Sequence, residues 1–236
     1  MSEEEEESSI ESLINTLHMV HLDNSRMQYY AKNKNGRSVS MMPLTPFIYE
    51  FFLFNSLYQI DWEKSLDERN LLYHPDICTE SQKQTMFWNY LKAYAKTNPS
   101  LFYRAFEPIG YLPDLKSEWT EITPGTRVTE DQGKSFFRKV QIIQTLILEC
   151  HTPNEMITSK KVFEPINDCI YYIYQIRNNI FHGSKTLGQI HDANQKQRIE
   201  VYELFLKCVT SLFFLSVNKD LVASDFMEIR VTITTT

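Results

Sequence analysis

Glycine is scarce in this chain, with six residues in 236. So little glycine speaks against tight hairpins and against the loops that cradle phosphates. No GxxxxGK[ST] loop, GxSxG elbow or GxGxxG set is present. That argues against nucleotide hydrolysis, serine hydrolysis and dinucleotide binding on the scaffolds that carry those motifs. Long apolar runs are missing too. The longest, FFLF and SLFFLSV, fall far short of the ~18 residues of a membrane span, so no membrane partner is expected. Cysteine is sparse and scattered, at positions 78, 150, 169 and 208 with no CxxC pair. Free thiols in a reducing cytoplasm are the simplest expectation. The opening MSEEEEESS is acidic where a secretory signal would be basic, which points the same way.

What is abundant is apolar and aromatic surface, 42% and 13% of residues, enough for a substantial core. The net charge of −6 at first disfavours a nucleic-acid partner, but it is unevenly spread. Residues 1–126 hold 11 Lys/Arg against 18 Asp/Glu, whereas residues 127–207 hold 11 against 9. The middle of the chain is therefore mildly basic and compatible with RNA.

Helical periodicity dominates. Ser8 and Glu11 fit a capping box opening a helix over about 9–31, ended by KNKNGR with its Asn35-Gly36 turn signal. Thr45 to Trp62 reads as a helix apolar over most of its circumference, as a core or interface helix would be. Thr79 and Gln82 can cap a helix over about 80–97, with Met86, Tyr90, Leu91 and Tyr94 inward; a shorter one covers 99–107. Signals lapse between Gly110 and Gly133, the expected subdomain seam. Three strong helices follow, over about 134–150, 159–181 and 195–217. The middle one carries an inward stripe of Ile166, Cys169, Ile170, Ile173, Ile176 and Ile180, and Gly183 stops it. At the end, Ile229, Val231 and Ile233 alternate as in a short edge strand. The architecture expected is all-α, an antiparallel helical bundle.

Three histidine clusters have bland readings. HMVHLD, with His18, His21 and Asp23, lacks a fourth metal ligand and reads as solvent-facing. His74 with Cys78, and Cys150 with His151, have neither catalytic nor zinc spacing. The run Glu3 to Glu7 reads as a solvated tail; the sharper alternative is a competitor of RNA for a cationic cleft.

The informative stretch is CIYYIYQIRNNIFHGSK, Cys169 to Lys185. An arginine in so apolar a run must reach solvent or be held by partners, because an unpaired buried guanidinium is costly. Arg177 and His182 are five positions apart, about 140° around an ideal helix, and converge only if the helix ends near Phe181. The bland account of the pair is a helix-end cap, with the imidazole near a C-terminal dipole.

RNNIFH, Arg177 to His182, resembles the signature of the HEPN superfamily of small helical bundles: arginine, a polar residue, a few variable residues, then histidine. FNSLY, Phe54 to Tyr58, is similar to the aromatic-Asn-x-Leu-Tyr patch that many members carry in an earlier helix. The resemblance covers residues 44–217 as an ordering of helices. The chain is thus expected to divide into an acidic disordered tail over 1–8, an N-terminal helical extension over 9–43, an HEPN-like bundle over 44–217, and a tail over 218–236 in which an edge strand can form.

Many HEPN proteins are metal-independent endoribonucleases, often toxins or host-defence factors restrained by a partner protein. The resemblance implies the same trade, with no cofactor and no metal. The residue types suit it. Histidine can act as acid or base near neutral pH, and arginine presents a planar fork to phosphate oxygens. One chain supplies one such histidine, so a homodimer would bring two His182 and two Arg177 to one cleft. Asn178 would orient His182 or a phosphate oxygen. Asn179, Lys185, Lys160 and Lys161 are candidate substrate contacts. The alternatives are a non-catalytic HEPN-like module binding RNA, nucleotide or protein through the same notch, and an acidic decoy for a basic partner.

Overall fold

The computed structural model describes residues 16–17, 19–21, 30–32, 38–40, 44–64, 72–112, 128–158, 161–181 and 193–217. Two short antiparallel strands, β1 (Tyr30–Lys32) and β2 (Ser38–Ser40), pair Tyr30 with Ser40 and Lys32 with Ser38. Among the described residues the helices that follow are α1 (Leu44–Tyr58), α2 (Glu80–Thr97), α3 (Pro99–Gly110), α4 (Glu130–Glu149), α5 (Pro153–Thr158), α6 (Phe163–Phe181) and α7 (Ala193–Val217). The all-α class expected from periodicity is therefore observed, with one hairpin added.

Local chemistry sets several boundaries. Thr79 accepts from the backbone N–H of Gln82 while the Gln82 side chain accepts from the Thr79 N–H, the expected reciprocal cap of α2. Thr129 and Gln132 repeat the device at α4, with Glu130 and Asp131 favourably placed in the first turn. Pro99 opens α3, where its missing N–H costs nothing. At the other end of α3, a Cβ on Gly110 would meet Ile147 of α4 at 3.0 Å, so this glycine permits a close helix approach.

The core is organised around α7. Every residue from Val201 to Leu215 is buried, so α7 is a central helix rather than an amphipathic one. It packs chiefly on α1 and α3, and also touches α2 and α6; α4 packs on α6 and α3. Phenylalanines fill the middle: Phe47, Phe51 and Phe54 of α1, Phe102 and Phe106 of α3, Phe136 of α4 and Phe213 of α7 are essentially inaccessible. Their rings meet in tilted and edge-to-face pairs, such as Phe106 on Phe205 and Phe54 on Phe87.

Some expectations are corrected. Tyr30 and Ala31 lie in a strand paired with Ser38–Ser40, not at the end of a helix running from 9 to 31. The first long helix ends at Tyr58, and Trp62 begins a separate short turn whose indole N–H donates to the Leu57 carbonyl at 2.8 Å. Met86 of α2 points outward, while Gln84, Phe87, Trp88, Leu91 and Ala95 face the core. Residues 153–158 form their own helix, and α6 begins at Phe163 instead of 159. The Ser8–Glu11 cap, the 1–8 tail and the Ile229–Ile233 strand lie outside the described residues. No described helix is long and apolar enough to cross a membrane.

Candidate functional site

Helix α6 carries the expected inward stripe from Ile166 to Ile176, with Ile166, Cys169, Ile170, Ile173 and Ile176 buried, while the side chain of Ile180 lies outside the described residues. Arg177 follows directly and is half-buried. Its guanidinium lies 5.1 Å from the ring centroid of Phe51 and 5.9 Å from that of Tyr174. Two ring faces therefore hold the cation at the end of the apolar stripe, which explains how an arginine survives there.

Phe51 lies one turn before Phe54, so Arg177 is seated on the helix that carries FNSLY. Within FNSLY, Phe54 and Tyr58 are buried and serve packing. The Tyr58 hydroxyl shares its hydrogen between Asn55 Oδ1 and Glu80 Oε2. Glu80 also accepts from Gln59 Nε2 at 3.0 Å, and Lys83 donates to Gln59 Oε1 at 2.7 Å. Burial, then the Glu80 carboxylate, pushes the Tyr58 phenol far above its ordinary range, so it remains a donor. This network ties α1 to α2 beside the seat of Arg177.

Asn178 and Asn179 lie on the last turn of α6, which is described to Phe181. Their side chains, and residues His182, Lys185 and Lys160, are outside the described residues. Lys161 is exposed in the turn before α6, 16 residues from Arg177, about 24 Å along a helix axis. The structure does not bring Lys161 to the arginine.

A second polar constellation escaped sequence reading. His21, expected on a solvent face, is 1% exposed and buried between α1 and α7. Its Nδ1 lies 2.9 Å from Glu50 Oε1, and its Nε2 lies 3.2 Å from Ser211 Oγ. The Thr210 hydroxyl donates to the same Glu50 oxygen at 2.6 Å. One turn away, Lys207 pairs with Glu203 at 2.5 Å. Burial alone would raise the Glu50 pKa, but attraction and hydrogen bonding to His21, with Lys207 and Thr210, hold it below the ordinary carboxylate value.

Ser211, His21 and Glu50 thus stand in the order of a hydrolytic nucleophile, base and carboxylate. All three are at most 1% exposed, and Ser211 sits within the buried run of α7. A substrate carbonyl cannot reach that hydroxyl, so the array is a clamp for the N-terminal segment. Its sequence signal was present: Glu50 is the one carboxylate in α1, and a buried carboxylate demands partners.

Several other titratable groups serve the fold. Lys139 and Asp168 bridge α4 and α6 at 2.5 Å. Cys169 and Cys208 are buried thiols pushed up by burial, unlike reactive thiolates. Among the described residues no group of His, Cys, Asp and Glu could hold a metal ion. Compared with family models, curated proteins and solved structures, the chain matches none.

Proposed function

We propose that the chain is an HEPN-like endoribonuclease that cuts RNA without a metal. The observation that carries this reading is the seat of Arg177. A guanidinium held over Phe51 and Tyr174 at the end of α6 has its fork fixed in place, with the signature histidine five residues on. Fixed positive charge of this kind stabilises a phosphorane without reorganisation at the moment of reaction.

In the proposed reaction, one His182 imidazole takes the proton from a ribose 2′-hydroxyl. The freed oxygen attacks the adjacent phosphorus, and Arg177 neutralises the growing equatorial charge. The bond to the 5′-oxygen breaks, and a second imidazole, as imidazolium, gives that oxygen a proton. The products are a 2′,3′-cyclic phosphate and a 5′-hydroxyl. Acid and base come from the two subunits of a homodimer, and Asn178 orients the imidazole or a phosphate oxygen. Asn179, Lys185, Lys160 and Lys161 contact the RNA backbone. The setting is the cytoplasm, with an inhibitory protein holding a toxin or defence effector in check.

A second reading is favoured by the same contact. If the stacking on Phe51 holds Arg177 back from substrate, the notch binds RNA, nucleotide or protein without cutting. His182→Ala separates the two. The nuclease reading expects RNA cleavage in EDTA by the wild type, cyclic-phosphate ends, and a loss of at least ~10²-fold in the variant with its dimer retained. Intact RNA with the wild type, or equal cutting by the variant, overturns it in favour of the binding module.

A further inference from the structure

A cleft of about 940 Å³ opens between α2 and the corner where α5 meets α6. Its floor is apolar: Trp88, Ile157 and Phe163 are buried, and the Trp88 and Phe163 rings lie 6.2 Å apart. Lys92 and Lys96 line it from successive turns of α2, about 6 Å apart along the axis. Asn89 and Asn167 line it from opposite helices, and so does Glu164 of α6.

Four of these five polar side chains are uncommitted to the fold, and the fifth, Lys92, rests over an aromatic ring of the floor. Lys92 lies 5.7 Å from the Phe163 ring centroid. Lys96, Asn89, Asn167 and Glu164 take part in none of the hydrogen bonds or ion pairs among the described residues. An apolar floor ringed by a few convergent, unspent polar groups is how small-molecule sites are built. The volume is at the upper end of such sites.

The donors define the ligand. Two ammoniums one turn apart suit an anion with several oxygens, and among the described lining residues they outnumber the carboxylates. Two carboxamides, each donor and acceptor, suit the edge of a flat heterocycle laid on the apolar floor. Glu164, an acceptor, suits a hydroxyl or an exocyclic amine. We propose that this cleft binds a nucleoside phosphate, with the phosphate on Lys92 and Lys96 and the base between Asn89 and Asn167. Free nucleotide and the nucleotides of an RNA strand offer the same groups. The site stands on its own lining and does not depend on Arg177, from which Phe163 is 14 residues, or about 21 Å, along α6.

The test follows Trp88 fluorescence in the full chain, at low salt, as four ligands are titrated: ribonucleoside 5′-monophosphates, the matching nucleosides, inorganic phosphate and a ribo-octanucleotide. Monophosphates or the octanucleotide should bind at least ~10-fold more tightly than nucleoside or phosphate alone. Lys92→Ala/Lys96→Ala should erase that advantage while leaving the circular dichroism spectrum unchanged, since neither ammonium takes part in the hydrogen bonds or ion pairs of the described residues. A preference for the octanucleotide identifies a strand site; parity with monophosphates identifies a free-nucleotide site. Absent binding, phosphate binding as tight as nucleotide, or indifference to the double substitution overturns the proposal. Nucleotide binding that is lost in Lys92→Ala/Lys96→Ala, in a wild-type chain that cuts no RNA, would retire the nuclease reading and keep this one.

Discussion

Glu50 lies in the middle of a helix whose other core positions are Phe, Leu, Pro and Tyr, and it is wholly inaccessible. Leaving such a carboxylate without its imidazole strands a charge, so His21→Ala should cost about 3–5 kcal/mol at pH 7. Chemical denaturation measures it. The pH dependence has a definite sign. Glu50 has a depressed folded pKa, so its stabilising contribution is present above the ordinary value of 4.5 and is lost as pH falls through the folded value. Glu203, one turn from Lys207, is shifted the other way by burial, so its contribution favours acid and blunts the loss. The cost of His21→Ala should therefore shrink below about pH 4.5. Pairing it with Glu50→Gln should cost less than the two single changes summed. An unchanged cost at pH 4, or strict additivity, would show that His21 acts by shape alone.

Helices were legible where the chain signals its own local geometry. The Thr79–Gln82 box and the α6 stripe are visible in one stretch of sequence, and both were found in place. The Thr129–Gln132 box has the same pattern, but it lies at the end of a glycine- and proline-marked stretch that reads as loop, so α4 starts four residues before the expected position. What the chain does not announce locally was missed. His21 is buried because of Thr210 and Ser211, about 190 residues on, and no periodicity around His21 reports that. For Arg177 a need for partners could be read, yet their identity, Phe51, depends on how α1 meets α6. The two boxes support a prediction at this scale. Thr79→Ala and Thr129→Ala should each lower stability by about 1 kcal/mol, and additively, since they cap different helices. A thermal or urea unfolding series reads this. A negligible loss at either site would mean that packing, not capping, fixes that helix start.

For the whole molecule, the proposed chemistry needs two imidazoles, and the chain has one histidine in the signature. The prediction concerns stoichiometry. If both histidines serve one cleft, a dimer of one wild-type and one His182→Ala subunit has either its acid or its base, not both. Mixed with a ninefold excess of His182→Ala under conditions that exchange subunits, wild-type chains would find a wild-type partner about one time in ten by random pairing. Cleavage per wild-type chain should then fall about tenfold, while the same excess of a denatured control has no effect. A chain that carries a complete site of its own would lose nothing, because the variant would be a bystander. The Arg177 seat does not distinguish these cases, since Phe51 and Tyr174 belong to the same chain as the arginine. That contact would anchor the cation in a monomer as well as in a dimer, so the mixing experiment tests the shared cleft independently of the fold that supports it.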